Sequence, residues 1–328
     1  MDGFVYVQTN DAERNEVVVF GRKADGSLER LSAFPTGGKG SGEPHLPSQN
    51  SVVLAEGRLY VTNAGSDDVT VFTVEGPELR MLERVPSGGS TPRSVAVHSD
   101  RVYVLNTGGV ANVARVGGDV VALPDGSDPA QVAFTPDGRT LLVTDRAADS
   151  IHAFAVDDKG ALGEVVTHAS SGATPYGFDV TADGVLVVTE AAGAQVGKAS
   201  ASSYKLEGPA RLAPVSGVVA STRSEVCWAV ASKDGRVVFV TNFGDGTIST
   251  YVVGADGELE LRDAVAATTV DGQAGLRDEA LTSDGQYLYA LHADTGQVFG
   301  WRVGADGALA AIGSANGLPL TAAGLAAS

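Results

Sequence analysis

Phe134-Thr135-Pro136-Asp137-Gly138-Arg139-Thr140-Leu141-Leu142-Val143-Thr144-Asp145 is the stretch that decides the fold. Asp137-Gly138 interrupts the apolar run, and glycine accepts the positive φ that a tight hairpin turn demands. The β-prone Leu141 to Thr144 then reads as a second strand, ended by a turn-favouring aspartate. The same ending recurs as Val5-Tyr6-Val7, Leu59-Tyr60-Val61-Thr62-Asn63, Val102-Tyr103-Val104-Leu105-Asn106, Leu186-Val187-Val188-Thr189-Glu190, Val238-Phe239-Val240-Thr241-Asn242 and Leu288-Tyr289-Ala290-Leu291-His292. Neighbouring copies lie 39 to 54 residues apart. That period predicts propeller blades.

Asp-Gly pairs at 183–184, 234–235 and 284–285 precede their copies as Asp137-Gly138 does. A second set at 25–26, 256–257 and 306–307 follows some copies and would join a third strand to a fourth. Each repeat is therefore expected to be a four-stranded antiparallel meander, and no window carries a sustained helical period. The reading is all-β, a seven-bladed β-propeller forming one domain over residues 1–328. Its blades are expected at roughly 4–33 plus 317–328, 45–87, 91–127, 128–172, 174–221, 223–271 and 273–316. Residues 4–33 hold only three strands. The terminal run from Gly317 to Ser328 is expected to supply the missing innermost strand of the N-terminal blade, because an open ring would leave two unpaired edges.

Composition narrows the partners. A net charge of −17 leaves no basic stripe for nucleic acid and disfavours anionic membrane. No stretch reaches the roughly 18 to 20 apolar residues that span a bilayer. Cys227 is the only cysteine, so neither a disulfide framework nor a cysteine zinc site is expected. No charged-then-apolar leader opens the chain, which suggests the cytoplasm, or secretion for a trimmed mature form. The expected molecule is a monomer with no cofactor and no metal, acting on a small lactone or carboxylic acid.

In a propeller the starts of innermost strands and the ends of second strands converge on one mouth of the central tunnel. Aligned on their turns, the innermost strands bring Arg93, Tyr176 and Arg277 to one level, and Gln131, Trp228 and Asp278 to the next. Glu279 follows one step deeper, and Glu190 ends a second strand. Arg93 and Arg277 could clamp a carboxylate or phosphate, and Tyr176 and Trp228 could wall a ring. Gln131 and Asp278 complete the expected substrate-binding set. Glu190, Glu279 and the loop histidine His45 are the proton-transfer candidates. The competing expectation is structural: inner charges neutralising one another around water, and Asn or Asp capping local turns. Phosphate-loop and nucleophile-elbow motifs are incomplete or missing.

Gly42-Glu43-Pro44-His45-Leu46, Gln131-Val132-Ala133-Phe134-Thr135-Pro136-Asp137-Gly138 and Thr174-Pro175-Tyr176-Gly177-Phe178 carry a family resemblance. So do Val240-Thr241-Asn242 and Leu288-Tyr289. The whole chain resembles the lactonase-type seven-bladed propellers, which include cycloisomerase-type 6-phosphogluconolactonases and 3-carboxy-cis,cis-muconate lactonizing enzymes. The resemblance implies chemistry on a lactone or an unsaturated acid. Those 6-phosphogluconolactonases usually carry Pro-Arg-His at the start of an inner strand and a Glu ending the next. Here the fifth blade reads Pro175-Tyr176-Gly177 with Glu190 in place, and a Pro-Arg pair stands at Pro92-Arg93 with Ser94 after it.

The leading expectation is thus a cofactor-independent, lactonase-like hydrolase of the 6-phosphogluconolactonase kind, opening or forming a lactone of a small organic or sugar acid. A muconate-type cycloisomerase and a non-catalytic propeller that binds a ligand or a protein are the alternatives.

Overall fold

The structure is a computed structural model, and it describes every residue except His45, Ser48 and Asp271. The strands form seven antiparallel sheets, the seven blades of a β-propeller. Among the described residues the only helices are single 3-10 turns at Ala192–Ala194, Phe243–Asp245 and Ala293–Thr295. Each follows the second strand of its blade.

The Asp-Gly turns form as the residues dictate. Gly26, Gly138, Gly184, Gly235, Gly257, Gly285 and Gly307 all have φ between 66° and 87°. Beside four of them a hydroxyl caps the turn aspartate: Ser27 to Asp25 at 2.6 Å, Thr135 to Asp137 at 2.7 Å, Ser232 to Asp234 at 2.7 Å and Thr282 to Asp284 at 2.6 Å. The turn is thereby fixed from both sides, and with it the register of the two strands it joins.

The chain divides into two compact units. One comprises Met1–Ala122, Asp278–Gly304 and Leu309–Ser328, and the other Leu123–Arg277 and Ala305–Ala308.

In the first unit the C-terminal strand Ala323–Ala327 pairs antiparallel with Gly3–Gln8 and completes the N-terminal blade, as the strand count requires. Val5 faces Ala327, Val7 faces Leu325, and a bulge between Val7 and Gln8 brings Ala323 opposite Gln8. Gly324 sits in that bulge with φ of 70°, and a Cβ there would lie 2.3 Å from Ser51 Oγ. The bulge turns the Gly324 N–H to Asp278 Oδ2 at 2.8 Å, so a carboxylate of blade 7 (Leu276–Asn316) holds the closing strand. Val5, Val7 and Leu325 bury their side chains with Tyr289 and Leu291 of blade 7.

The second unit holds blade 4 (Pro129–Ala169), blade 5 (Pro175–Ala220) and blade 6 (Val226–Thr268). Tyr176, Val187, Trp228, Val240 and Tyr251 form a core shared by blades 5 and 6, and Leu142, Ala153, Phe178, Leu186 and Tyr204 one shared by blades 4 and 5. Blade 5 departs from the pattern. Its outer edge is split into Leu212–Pro214 and Val219–Ala220, both paired with the third strand, Ser200–Leu206.

Candidate functional site

Six of the seven blades end the second strand on a buried polar side chain, blade 3 (Ser90–Ala122) carries the buried Asn106 two residues before its second strand ends, and what that side chain meets differs from blade to blade. In blade 2 (Val52–Pro86) the Asn63 amide donates to Asp68 at 2.6 Å and Thr70 at 2.9 Å, both on the third strand, Asp68–Glu75. Blade 6 repeats this, with Asn242 donating to Thr247 and Ser249. In both blades the neutral amide N–H groups tie the second strand to the third, while Asn242 Oδ1 has no hydrogen-bond partner among the described residues.

Blades 4 and 5 put carboxyls in that position. Asp145 Oδ2 lies 3.1 Å from His152 Nε2, and Oδ1 accepts the Asp128 N–H at 3.0 Å and the Ala147 N–H at 3.1 Å. Burial pushes this carboxyl up, but the bonds from His152, Ser127 and the Asp128 N–H outweigh it and hold it at about 2. His152 is almost fully buried, with its other ring nitrogen 3.0 Å from Thr167 Oγ1.

Glu190 has a different shell. Its side chain is fully buried, with Oε2 accepting the Ser200 hydroxyl at 2.8 Å and Oε1 accepting the Ser202 hydroxyl. The chain at Gly172 runs against it so closely that a Cβ there would come within 2.9 Å of the carboxyl carbon. Burial raises this carboxyl to about 7, and the bonds from Ser202, Ser200 and the Gly172 N–H only partly offset it. Two equivalent positions in adjacent blades therefore hold one carboxylate fixed as an anion and one poised at neutrality. Such divergence within one fold is how acid and base roles are separated.

The other expected residues of this unit lie on the first strands. Tyr176 and Trp228 meet with ring centroids 4.8 Å apart and planes tilted by 55°. The Arg146 guanidinium covers the Tyr176 ring at 4.9 Å, reaches its hydroxyl at 3.3 Å and pairs with Asp128 at 2.6 Å. Trp228 is fully buried, and its Nε1 has no hydrogen-bond partner among the described residues. A buried donor in that state is a place for an acceptor oxygen. Arg277, also buried, stacks its guanidinium 4.9 Å over the Phe243 ring. The Gln131 amide donates to the Phe178 carbonyl at 2.9 Å and accepts the Phe178 N–H at 2.7 Å. It copies a backbone bridge and ties blade 4 to blade 5.

In the other unit Arg93 is half-buried, while Asp278 and Glu279 are buried on the first strand of blade 7. Asp278 is the group that receives Gly324. His45 lies outside the described residues.

The sequence profile of the family described as "Lactonase, 7-bladed beta-propeller" matches residues 4–116, 103–196 and 188–316. The chain belongs to this family. Over 151 residues it is 30% identical to a 6-phosphogluconolactonase of Sodalis glossinidius (strain morsitans), a match covering 40% of this chain and 45% of that protein. The chain thus spans less than half the length of that relative. Among solved structures, a functionally unknown protein of Desulfotomaculum acetoxidans matches with TM-score 0.78 and 15% identity, over 100% of this chain and 99% of that one. A periplasmic gluconolactonase of Pseudomonas aeruginosa matches with TM-score 0.71 and 18% identity, over 99% and 98%. At these identities the likeness establishes the fold.

Sequence reading of this family member passed over Ser200, Ser202 and Tyr204. Their alternation on one face of the third strand was the available signal, since three hydroxyl side chains there need a polar partner inside the blade. His152, which no motif or column of the repeat singles out, is the partner that keeps Asp145 ionised.

Proposed function

We propose that this lactonase-family protein hydrolyses the lactone of a small organic or sugar acid, with Glu190 as the group that moves the proton. The observation that carries the reading is the Glu190 carboxyl, enclosed by serine hydroxyls and held near neutrality. A general base works best with its proton affinity close to the working pH.

In this reading Glu190 takes a proton from water as the water oxygen attacks the lactone carbonyl. The tetrahedral intermediate collapses, the ring C–O bond breaks, and Glu190 returns the proton to the leaving alkoxide. The product is a hydroxy acid whose carboxyl ionises and releases one proton to solution. Arg277 supplies fixed positive charge for the acid group or the developing oxyanion, and the Trp228 N–H supplies a donor for a ring or carbonyl oxygen. The family membership and the 6-phosphogluconolactonase relative support the choice of lactones.

The test is proton release in a pH-stat over sugar-acid lactones with and without phosphate, muconolactones and simple γ- and δ-lactones. Turnover of one class, lost on Glu190→Gln and weakened in KM on Arg277→Ala with the fold intact, is expected. Silence across the panel from folded protein would sink the hydrolase reading and favour a cycloisomerase or a binding scaffold. Turnover that survives Glu190→Gln would remove Glu190 from it.

A further inference from the structure

The shell of Glu190 continues outward. Ser202 Oγ, bonded to Glu190 Oε1, lies 3.1 Å from Tyr204 Oη. Tyr204 Oη lies 3.0 Å from Ser171 Oγ and also accepts the Ser171 N–H at 2.7 Å. Glu190 and Ser202 are fully buried, Tyr204 is 2% exposed, and Ser171 is exposed on the connection from blade 4 to blade 5. An unbroken row of hydroxyls therefore runs from a buried carboxyl to the surface. We infer that Ser202, Tyr204 and Ser171 form a proton conduit joining Glu190 to solvent.

Hydroxyl chemistry makes the row reversible, because each hydroxyl both donates and accepts. With Glu190 ionised, Ser171 donates to Tyr204, Tyr204 to Ser202, and Ser202 to the carboxylate. With Glu190 protonated every bond reverses, and Tyr204 donates to Ser171. One proton enters at one end as one leaves at the other, and no hydroxyl keeps a charge. Ser200, bonded to the other carboxyl oxygen, belongs to no such row. Tyr251 of blade 6 also faces the carboxyl, but its hydroxyl proton is given to the Val219 carbonyl at 3.1 Å, away from the row. In blade 4 the corresponding row, Asp145–His152–Thr167, ends on a carboxyl held at about 2, which stays ionised and has no proton to exchange near neutrality.

The catalytic use of the conduit rests on the reading of Glu190 as the acid–base group: it lets Glu190 recover its protonation state without passing a proton through bound substrate. Ser202 and Tyr204 are then positioning residues. The conduit itself is tested without substrate, by following the Glu190 infrared carboxyl band after a pH jump. The band is identified by its loss in Glu190→Gln. Tyr204→Phe keeps the ring and cuts the row, and is expected to slow relaxation at least tenfold. Ser202→Ala should act alike and serves if the Phe variant misfolds. Ser200→Ala, which removes an equal bond off the row, should relax at the wild-type rate. Equal relaxation in wild type, Tyr204→Phe and Ser202→Ala would overturn the conduit. On a lactone that the wild type turns over, Tyr204→Phe should lose kcat more than KM, and small diffusible buffers such as imidazole should restore it. A wild type that turns over no lactone would end the hydrolase reading, and the infrared relaxation would still decide the conduit.

Discussion

Replacing Glu190 by Gln should make stability less dependent on pH, by an amount the structure fixes. The folded carboxyl sits at about 7 against an ordinary value of 4.5, about 2.5 units higher. At roughly 1.4 kcal/mol per unit, the folded state prefers the protonated form by about 3.5 kcal/mol more than the unfolded chain does. A carboxyl raised on folding gives stability that is complete below its unfolded value and is lost as pH rises through its folded one. Wild type should therefore lose about 3 kcal/mol through this group between about pH 4 and pH 8.5. Gln fits the same shell: its oxygen accepts from one serine, and its amide donates to the other, whose hydroxyl turns to donate elsewhere. Urea unfolding of both proteins across that range is the assay. Every other group titrates in both, so the difference between the two stability curves isolates Glu190. The Gln variant should gain on wild type as pH rises, with most of the change between about pH 5 and 8. Curves parallel to within about 1 kcal/mol would show that burial does not hold this carboxyl near neutrality, and would remove the physical basis for its role as base.

Three further outcomes follow from the geometry. Gly324→Ala forces a side chain into left-handed backbone and against Ser51, so it should cost at least about 2 kcal/mol in urea unfolding; a loss under about 0.5 kcal/mol would show that the bulge is easily rebuilt. Deleting residues 317–328 removes the strand paired with Gly3–Gln8, and size-exclusion chromatography should show aggregates; a monomeric truncation that unfolds cooperatively would refute ring closure as a requirement. In Trp301→Phe protein Trp228 is the only tryptophan, and saturation with a lactone that is turned over should shift its emission as Nε1 gains an acceptor; unchanged emission would take Trp228 out of the binding site.

The fold was legible because its determinants are local. An Asp-Gly turn needs only its own residues and a capping hydroxyl, and that chemistry recurs often enough to set the period. Closure came from counting strands at the N-terminus. The candidate site was legible as residue type and hardly at all as connection. Gln131 reads as a polar group on an inner strand, yet its amide bonds to Phe178, 47 residues away, and the pairing depends on how two blades pack. Asp278 reads as a ligand group and also holds Gly324, because a bulge 46 residues further along aims an N–H at it. Glu190 was read as acid–base from its place in the repeat, but its partners Ser200 and Ser202 stand ten and twelve residues on, beyond an enlarged loop. In blade 2 the corresponding spacing is five and seven. A motif search tuned to the regular blades looks in the wrong place.

That irregularity bears on where function resides in a repeated fold. The end of the second strand is under the same structural demand in blades 2, 4, 5 and 6: a buried polar side chain must meet donors and acceptors on the third strand. A neutral asparagine makes the tie from this position in blades 2 and 6, so the tie itself does not call for a carboxyl there. A carboxylate buried among neutral hydroxyls is costly, and the cost appears as its raised proton affinity. Blade 4 carries a carboxyl and removes that cost with an imidazole and two main-chain N–H groups. Blade 5 carries one and leaves the cost in place. If ties between strands were all that mattered, Gln at 190 would serve as well and keep its stability at high pH. That Glu190 instead keeps a titratable proton, next to a hydroxyl row that reaches the surface, is the ground on which blade 5 is proposed as the place of proton transfer.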